Sequence, residues 1–210
     1  MNKIDPYIFP STVILGNGEY PQADVPCHVL SNAQSVIICD GAANQYVESG
    51  KPFDLIIGDG DSINDEVRQK YASRIILSSC QETTDQTKAV NHLAQQGIRH
   101  MAIVGATGKR DDHTIGNISL LIEYLRKGIT AYIYTDHGIF VPAHGNSSII
   151  TQPGQQISIF NFGSTTLSAE GLKYPIRPFD SWWQGTLNEA LGTSCLIEAD
   201  SYYLIYLAYL

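Results

Sequence analysis

The chain is 210 residues long, 43% hydrophobic and 16% charged, which suits one or two globular domains and excludes a largely disordered chain. Its formal net charge is −8, and the 13 Lys and Arg form no run, so nucleic acid is not expected as a partner. No segment is apolar for long enough to cross a bilayer, the nearest being residues 202–210.

Residues 1–6 carry no apolar stretch behind a basic start, so no signal peptide is expected. From there to about Asp136, short apolar runs alternate with longer amphipathic stretches. The runs 13–15, 35–39, 54–57, 74–77, 101–104 and 131–134 are rich in Ile and Val at consecutive positions, as strands buried on both faces require. Between them, Thr84 is placed to cap a helix carrying Ala89, Val90 and Leu93 and closing at Gly97. Ile115, Ile118, Leu121, Ile122 and Leu125 recur at helical steps and end at Gly128. This alternation predicts an α/β domain over residues 1–136, with a Rossmann-like parallel sheet covered by helices.

Residues 137–147, with His137-Gly138 and Pro142-Ala143-His144-Gly145-Asn146, read as a connector. Beyond it, the runs 148–151, 156–160, 165–168, 194–198 and 202–209 are separated by Gly, Pro and Asn, with a helical period only near 187–191. A small all-β sandwich is expected over residues 148–210, because one short sheet cannot bury both of its faces. Cys27, Cys39, Cys80 and Cys195 form no CxxC pair, which reads as reduced thiols in a cytoplasmic protein and argues against zinc.

An open parallel sheet binds its ligands outside the carboxyl ends of its strands. The polar segments following the first five runs are Gly16-Asn17-Gly18-Glu19, Asp40-Gly41-Ala42-Ala43-Asn44, Gly58-Asp59-Gly60-Asp61-Ser62, residues 81–88 and residues 105–113. Four of the five carry Asp, and glycines at these ends permit close backbone approach. So many carboxylates on one edge repel one another unless a cation sits among them, and all-oxygen ligands favour Mg²⁺. Lys88 and Arg110 come from the same edge and can hold phosphate. Singly, each signal has a plainer reading: Asp85 and Asp112 could only favour helix N-termini, and Asp40 could only close a turn. An EF-hand fails because Ile63 and Lys70 occupy ligand positions, and a Walker A loop fails because Arg110 stands where Ser or Thr is needed. Joint placement on one edge is what favours a phosphate-plus-metal site.

Asp40-Gly-Ala-Ala-Asn44, Asp54-Leu-Ile-Ile-Gly-Asp-Gly-Asp-Ser62, Thr84-Asp-Gln-Thr-Lys88 and Gly108-Lys-Arg-Asp-Asp-His113 occur in the order and spacing of thiamine pyrophosphokinases, which the chain resembles. The resemblance continues through Gly171-Leu-Lys-Tyr-Pro175 and Asn188-Glu189, covering nearly the whole sequence. It implies transfer of pyrophosphate from ATP to thiamine with release of AMP, by a homodimer whose site is shared between subunits. It further implies Asp59 and Asp61 as the magnesium pair with Asp40 beside them, and Gln81, Asp85 and Lys88 as substrate and phosphate contacts. On the same resemblance Arg110 and Asp112 match the family's phosphate loop, Asn17 and Thr107 are expected as further ATP contacts, and Tyr174 occupies a position expected near the thiamine rings. Two positions depart from the pattern: Lys109 replaces a common glycine, and Leu187 stands where a Ser often precedes the Asn-Glu pair. Trp182 and Trp183 are read as β-domain core or dimer contacts rather than ligand stackers.

The expected reaction is in-line attack by the thiamine hydroxyl on the β-phosphorus, with Asp85 or Asp112 orienting or deprotonating that hydroxyl; the sequence does not choose between them. The rivals are a pyrophosphokinase for another alcohol, such as a hydroxymethylpterin, and a non-catalytic nucleotide or thiamine sensor. A nicotinamide oxidoreductase is weaker, since no GxGxxG follows the first run.

Overall fold

A strand covered on both faces needs apolar side chains at successive positions, and five of the six N-terminal runs meet that demand. The computed structural model describes residues 1–78, 80 and 82–210. In chain order the elements are β1 (Asn2–Ile4), β2 (Thr12–Leu15), α1 (Asp24–Ser31), β3 (Ser35–Cys39), α2 (Ala42–Glu48), β4 (Leu55–Gly58) and α3 (Asp65–Lys70). They continue as β5 (Ile75–Leu77), α4 (Asp85–Gln95), β6 (His100–Val104), α5 (Asp111–Arg126) and β7 (Thr130–Tyr134).

Pro10–Leu120 with Ile129–Asp136 form one unit. Its parallel strands lie in the order β7-β6-β2-β3-β4-β5. All four residues of β2 are buried, as are the last four of β3, β6 and β7. Each Val, Leu or Ile so enclosed contributes about 1.5–3 kcal/mol. Only β5, the last strand in the order, leaves apolar residues outside, with Leu77 60% exposed. From β2 the chain proceeds through β3 and β4 to β5, then returns to place β6 on the other side of β2. The order of winding therefore reverses between β2 and β6, which opens a crevice at their carboxyl ends.

Helix α4 shows how these helices are positioned. The Thr84 hydroxyl caps it by accepting from the Thr87 amide, and Ala89, Val90, Leu93 and Ala94 form its buried stripe against β2, β3 and β4. The cap lies at the strand-end edge, which is how Asp85 and Lys88 reach it.

The remaining elements are β8 (Gly138–His144), β9 (Ser147–Ile150), β10 (Gln156–Phe162), β11 (Leu167–Glu170), β12 (Asn188–Glu189), β13 (Ser194–Ala199) and β14 (Tyr202–Ala208). Met1–Phe9, Leu121–Gly128 and His137–Leu210 form the second unit. It holds a sheet ordered β1-β9-β13-β11 and antiparallel strands ordered β12-β10-β14-β8. Inward residues alternate along the strands, as in Ile157 and Ile159 of β10 and Cys195, Ile197 and Ala199 of β13. The Ser147 hydroxyl on β9 hydrogen-bonds the Tyr203 hydroxyl on β14, which donates in turn to the Gly145 carbonyl at 3.0 Å.

Three expectations are corrected. Residues 137–147 are not simply a connector, because β8 occupies 138–144 and pairs with β14 along its length. Pairing with so apolar a strand overrides the turn signals of Gly138 and Pro142. Residues 1–9 group with the β unit rather than with the α/β unit, since β1 pairs in parallel with β9. No helix forms near 187–191; Leu187 has φ +63°, and Asn188 and Glu189 form β12 against β10.

Candidate active site

The crevice between β2 and β6 is closed at its base by glycine. The Gly16 amide donates to the Val104 carbonyl at 2.8 Å, Gly18 to Gly105 at 2.6 Å and Glu19 to Thr107 at 2.7 Å. A Cβ on Gly18 would stand 2.4 Å from the Thr107 carbonyl oxygen, so only glycine permits the two loops to zip together. Thr107 thus enters the site through its backbone, and Asn17 is exposed beside it.

At the ends of β3 and β4 the carboxylates converge. Asp40 is 3% exposed, and its two oxygens accept from the Gly60 amide at 3.0 Å and the Ser62 amide at 3.1 Å. Its φ of +37° is left-handed, a conformation costing roughly 1–2 kcal/mol that short polar side chains bear best. Asp40, Asp59 and Asp85 each place a carboxylate oxygen within 4.8 Å of the others. Three hard oxygen donors at that spacing fit a divalent cation of the Mg²⁺ kind, and mutual repulsion gives the group reason to hold one. The trio differs from the expected one. Asp61 is exposed after the tight turn at Gly60 and lies outside this group, its amide donating to Asp59 at 3.2 Å, while Asp85 joins from α4.

Lys88 donates to Asp85 at 2.8 Å with its side chain only 9% exposed. Burial pulls its ammonium down, but the hydrogen bond and charge of Asp85, with Asp59 behind it, outweigh that and leave it above its ordinary value. Arg110 and Asp112 form an exposed bidentate pair at 3.1 and 2.6 Å. The hydrogen bond from Arg110 lowers the Asp112 carboxyl to about 2. Gln81 lies outside the described residues.

Asn44 is a positioning group that residue-by-residue reading left unassigned. From the first turn of α2 it donates to the Ser62 carbonyl at 2.7 Å and accepts from the Asn64 amide at 3.0 Å. With Asp40 it pins the loop carrying Asp59 and Asp61. Its spacing of four residues from Asp40 was the available signal.

In the β unit, Tyr174 is 55% exposed. Its amide donates to Asn188 Oδ1 at 3.0 Å and its carbonyl accepts from Asn188 Nδ2 at 2.8 Å, while Lys173 pairs with Glu189 at 3.1 Å. The two sequence motifs of this unit are therefore one clamp. Trp182 lies against Phe162 at 5.3 Å and Phe160 at 6.1 Å, and Trp183 is 74% exposed. Neither indole belongs to the core of this chain.

Together these features define an α/β protein with acidic and cationic side chains gathered at its sheet's carboxyl edge, joined to a β sandwich. Residues 27–133 match the model for the thiamin pyrophosphokinase catalytic domain, and residues 138–206 match that for the substrate-binding domain of the same family. The chain belongs to the thiamin pyrophosphokinase family. Thiamine pyrophosphokinase 1 of Oryza sativa subsp. japonica is 35% identical over 81 residues, a stretch spanning 34% of this chain and only 31% of that protein. Among solved structures, a thiamin pyrophosphokinase from Candida albicans superposes with a TM-score of 0.85 at 19% identity, covering 100% of this chain and 93% of the other. The Bacillus subtilis thiamine pyrophosphokinase gives 0.78 at 18% identity, with 94% and 98% covered. At such identities the likeness establishes the fold.

Proposed function

We propose that the chain is a magnesium-dependent thiamine pyrophosphokinase, using ATP as donor and releasing AMP. The observation that carries this reading is the convergence of Asp40, Asp59 and Asp85 with Lys88 on the strand-end edge, inside the stretch matching the family's catalytic domain. Asp40, Asp59 and Asp85 would hold the cation, with Asp61 adjacent. When bound, such a cation supplies neutralisation of charge on phosphate oxygens. Lys88 and Arg110 position the phosphates, and Asn17 and the Thr107 loop border them.

In the transfer, the thiamine hydroxyl oxygen bonds to the β-phosphorus. The bond from that phosphorus to the α,β-bridging oxygen breaks, AMP leaves with the electron pair, and the hydroxyl proton passes to a base. Asp112, bidentate with Arg110, is placed to orient that guanidinium. Asp85, on the first turn of α4 within the acidic group, is the candidate to orient the hydroxyl.

The exposed Trp182, Trp183, Leu187 and Leu191 on the β unit support a homodimer, with Tyr174 near the thiamine rings. The four cysteines are free, which supports a cytoplasmic setting. Incubation with ATP, Mg²⁺ and thiamine should yield AMP and thiamine diphosphate in equal amounts. AMP without a thiamine product points to another acceptor, and nucleotide binding without turnover overturns the enzymatic reading.

A further inference from the structure

Lys88, Arg110 and Lys109, all from the strand-end edge, are not equivalent. Lys88 is tied to Asp85 at 2.8 Å, and Arg110 is bidentate on Asp112. Lys109 makes no ion pair among the described residues. Its ammonium donates instead to the neutral side-chain oxygen of Asn17 at 3.2 Å. Asn17 is itself confined: a Cβ on Gly41 would come within 2.8 Å of its amide nitrogen and equally close to the Ser62 Cβ. Lys109, from the loop after β6, is thus tied to the loop after β2 through Asn17, whose side chain in turn lies against Gly41, the residue following Asp40 at the end of β3.

The backbone admits this side chain. Gly108 has φ +101° and requires glycine, whereas Lys109 is not in the left-handed region. An ammonium has three donors, and Asn17 uses one, so two remain for anionic oxygens. A neutral partner orients the charge without cancelling it, whereas Arg110 must share its charge with Asp112.

We propose that Lys109, oriented by Asn17, is a phosphate-binding residue of this chain, meeting the polyphosphate of the bound nucleotide. The proposal rests on the nucleotide reading above and adds a residue that the family motif does not supply. The test is calorimetric binding of ATP in the presence of Mg²⁺ to the wild type, Lys109→Met, Lys109→Arg and Asn17→Ala, at low and high salt.

Lys109→Met should bind ATP about tenfold more weakly at low salt, with the gap narrowing at high salt as screening removes the exposed charge's contribution. Lys109→Arg should restore most of the affinity, and Asn17→Ala should fall between. In turnover the KM for ATP should rise in Lys109→Met while kcat and the KM for thiamine hold. Equal ATP affinity in Lys109→Met and wild type, or a loss insensitive to salt, overturns the proposal. Circular dichroism verifies folding, and Lys109→Gln carries the same expectation should the Met variant fail to fold. If the wild type binds ATP yet makes no thiamine diphosphate, the kinase reading falls and the binding ratio still decides the role of Lys109. If it binds no ATP, both fall.

Discussion

Asp40 combines a left-handed backbone, near-complete burial and two accepted amide hydrogen bonds, so it shapes the loop after β4 as much as it adds charge to the acidic group. Asp59 and Asp61, two residues apart in one motif, meet different environments because Gly60 turns the chain between them at φ +86°. Asp59→Asn should therefore lower AMP formation by at least about a hundredfold, since it removes a charge that converges with two others. Asp61→Asn, measured in the same AMP assay, should retain more activity. Equal losses would return Asp61 to the primary pair. The motif revealed that both acids belong to the edge. Which of them joins Asp40 depended on the path through Gly60 and on where α4 delivers Asp85.

At the scale of elements, the apolar runs that became β2, β3, β6 and β7 were legible because burial on both faces leaves a continuous hydrophobic signal. Helices α4 and α5 were equally legible from their three- and four-residue steps. Strand β8 was not, because Gly138, Pro142 and His144-Gly145 carry local turn chemistry that pairing with β14 overrides. The loops after β2 and β6 zip together through backbone groups, with Lys109 and Asn17 a side-chain pair between them, so their partnership left little mark in the sequence beyond the glycines. Gly18→Ala forces a Cβ to within 2.4 Å of the Thr107 carbonyl and must part these loops. It should destabilise the protein by about 1–3 kcal/mol in urea unfolding and weaken ATP binding as well. An unchanged midpoint with unchanged affinity would show that the loops tolerate separation.

For the molecule as a whole, each unit builds its own core. In the β unit, the hydrogen-bonded chain from Ser147 through Tyr203 to Gly145 is enclosed, with Ser147 and Tyr203 fully buried. Tyr203→Phe should cost about 1–3 kcal/mol, because the Ser147 hydroxyl and Gly145 carbonyl lose a partner that water does not replace. A thermal melt followed by circular dichroism checks it, and an unaltered melting temperature would refute the role of this chain of hydrogen bonds.

The sequence by itself determined the fold class, the strand-end edge and the chemical character of the site, because periodicity and residue type act locally and survive in a linear string. It also carried the family motifs, from Asp40 to Asn188 and Glu189. Only the tertiary structure decided that Asp85 rather than Asp61 closes the acidic group, that Asn2–Ile4 pair with β9, and that Lys109 is held by Asn17. Those are contacts between residues far apart in the chain, set by strand order and backbone path, and no local pattern encodes them.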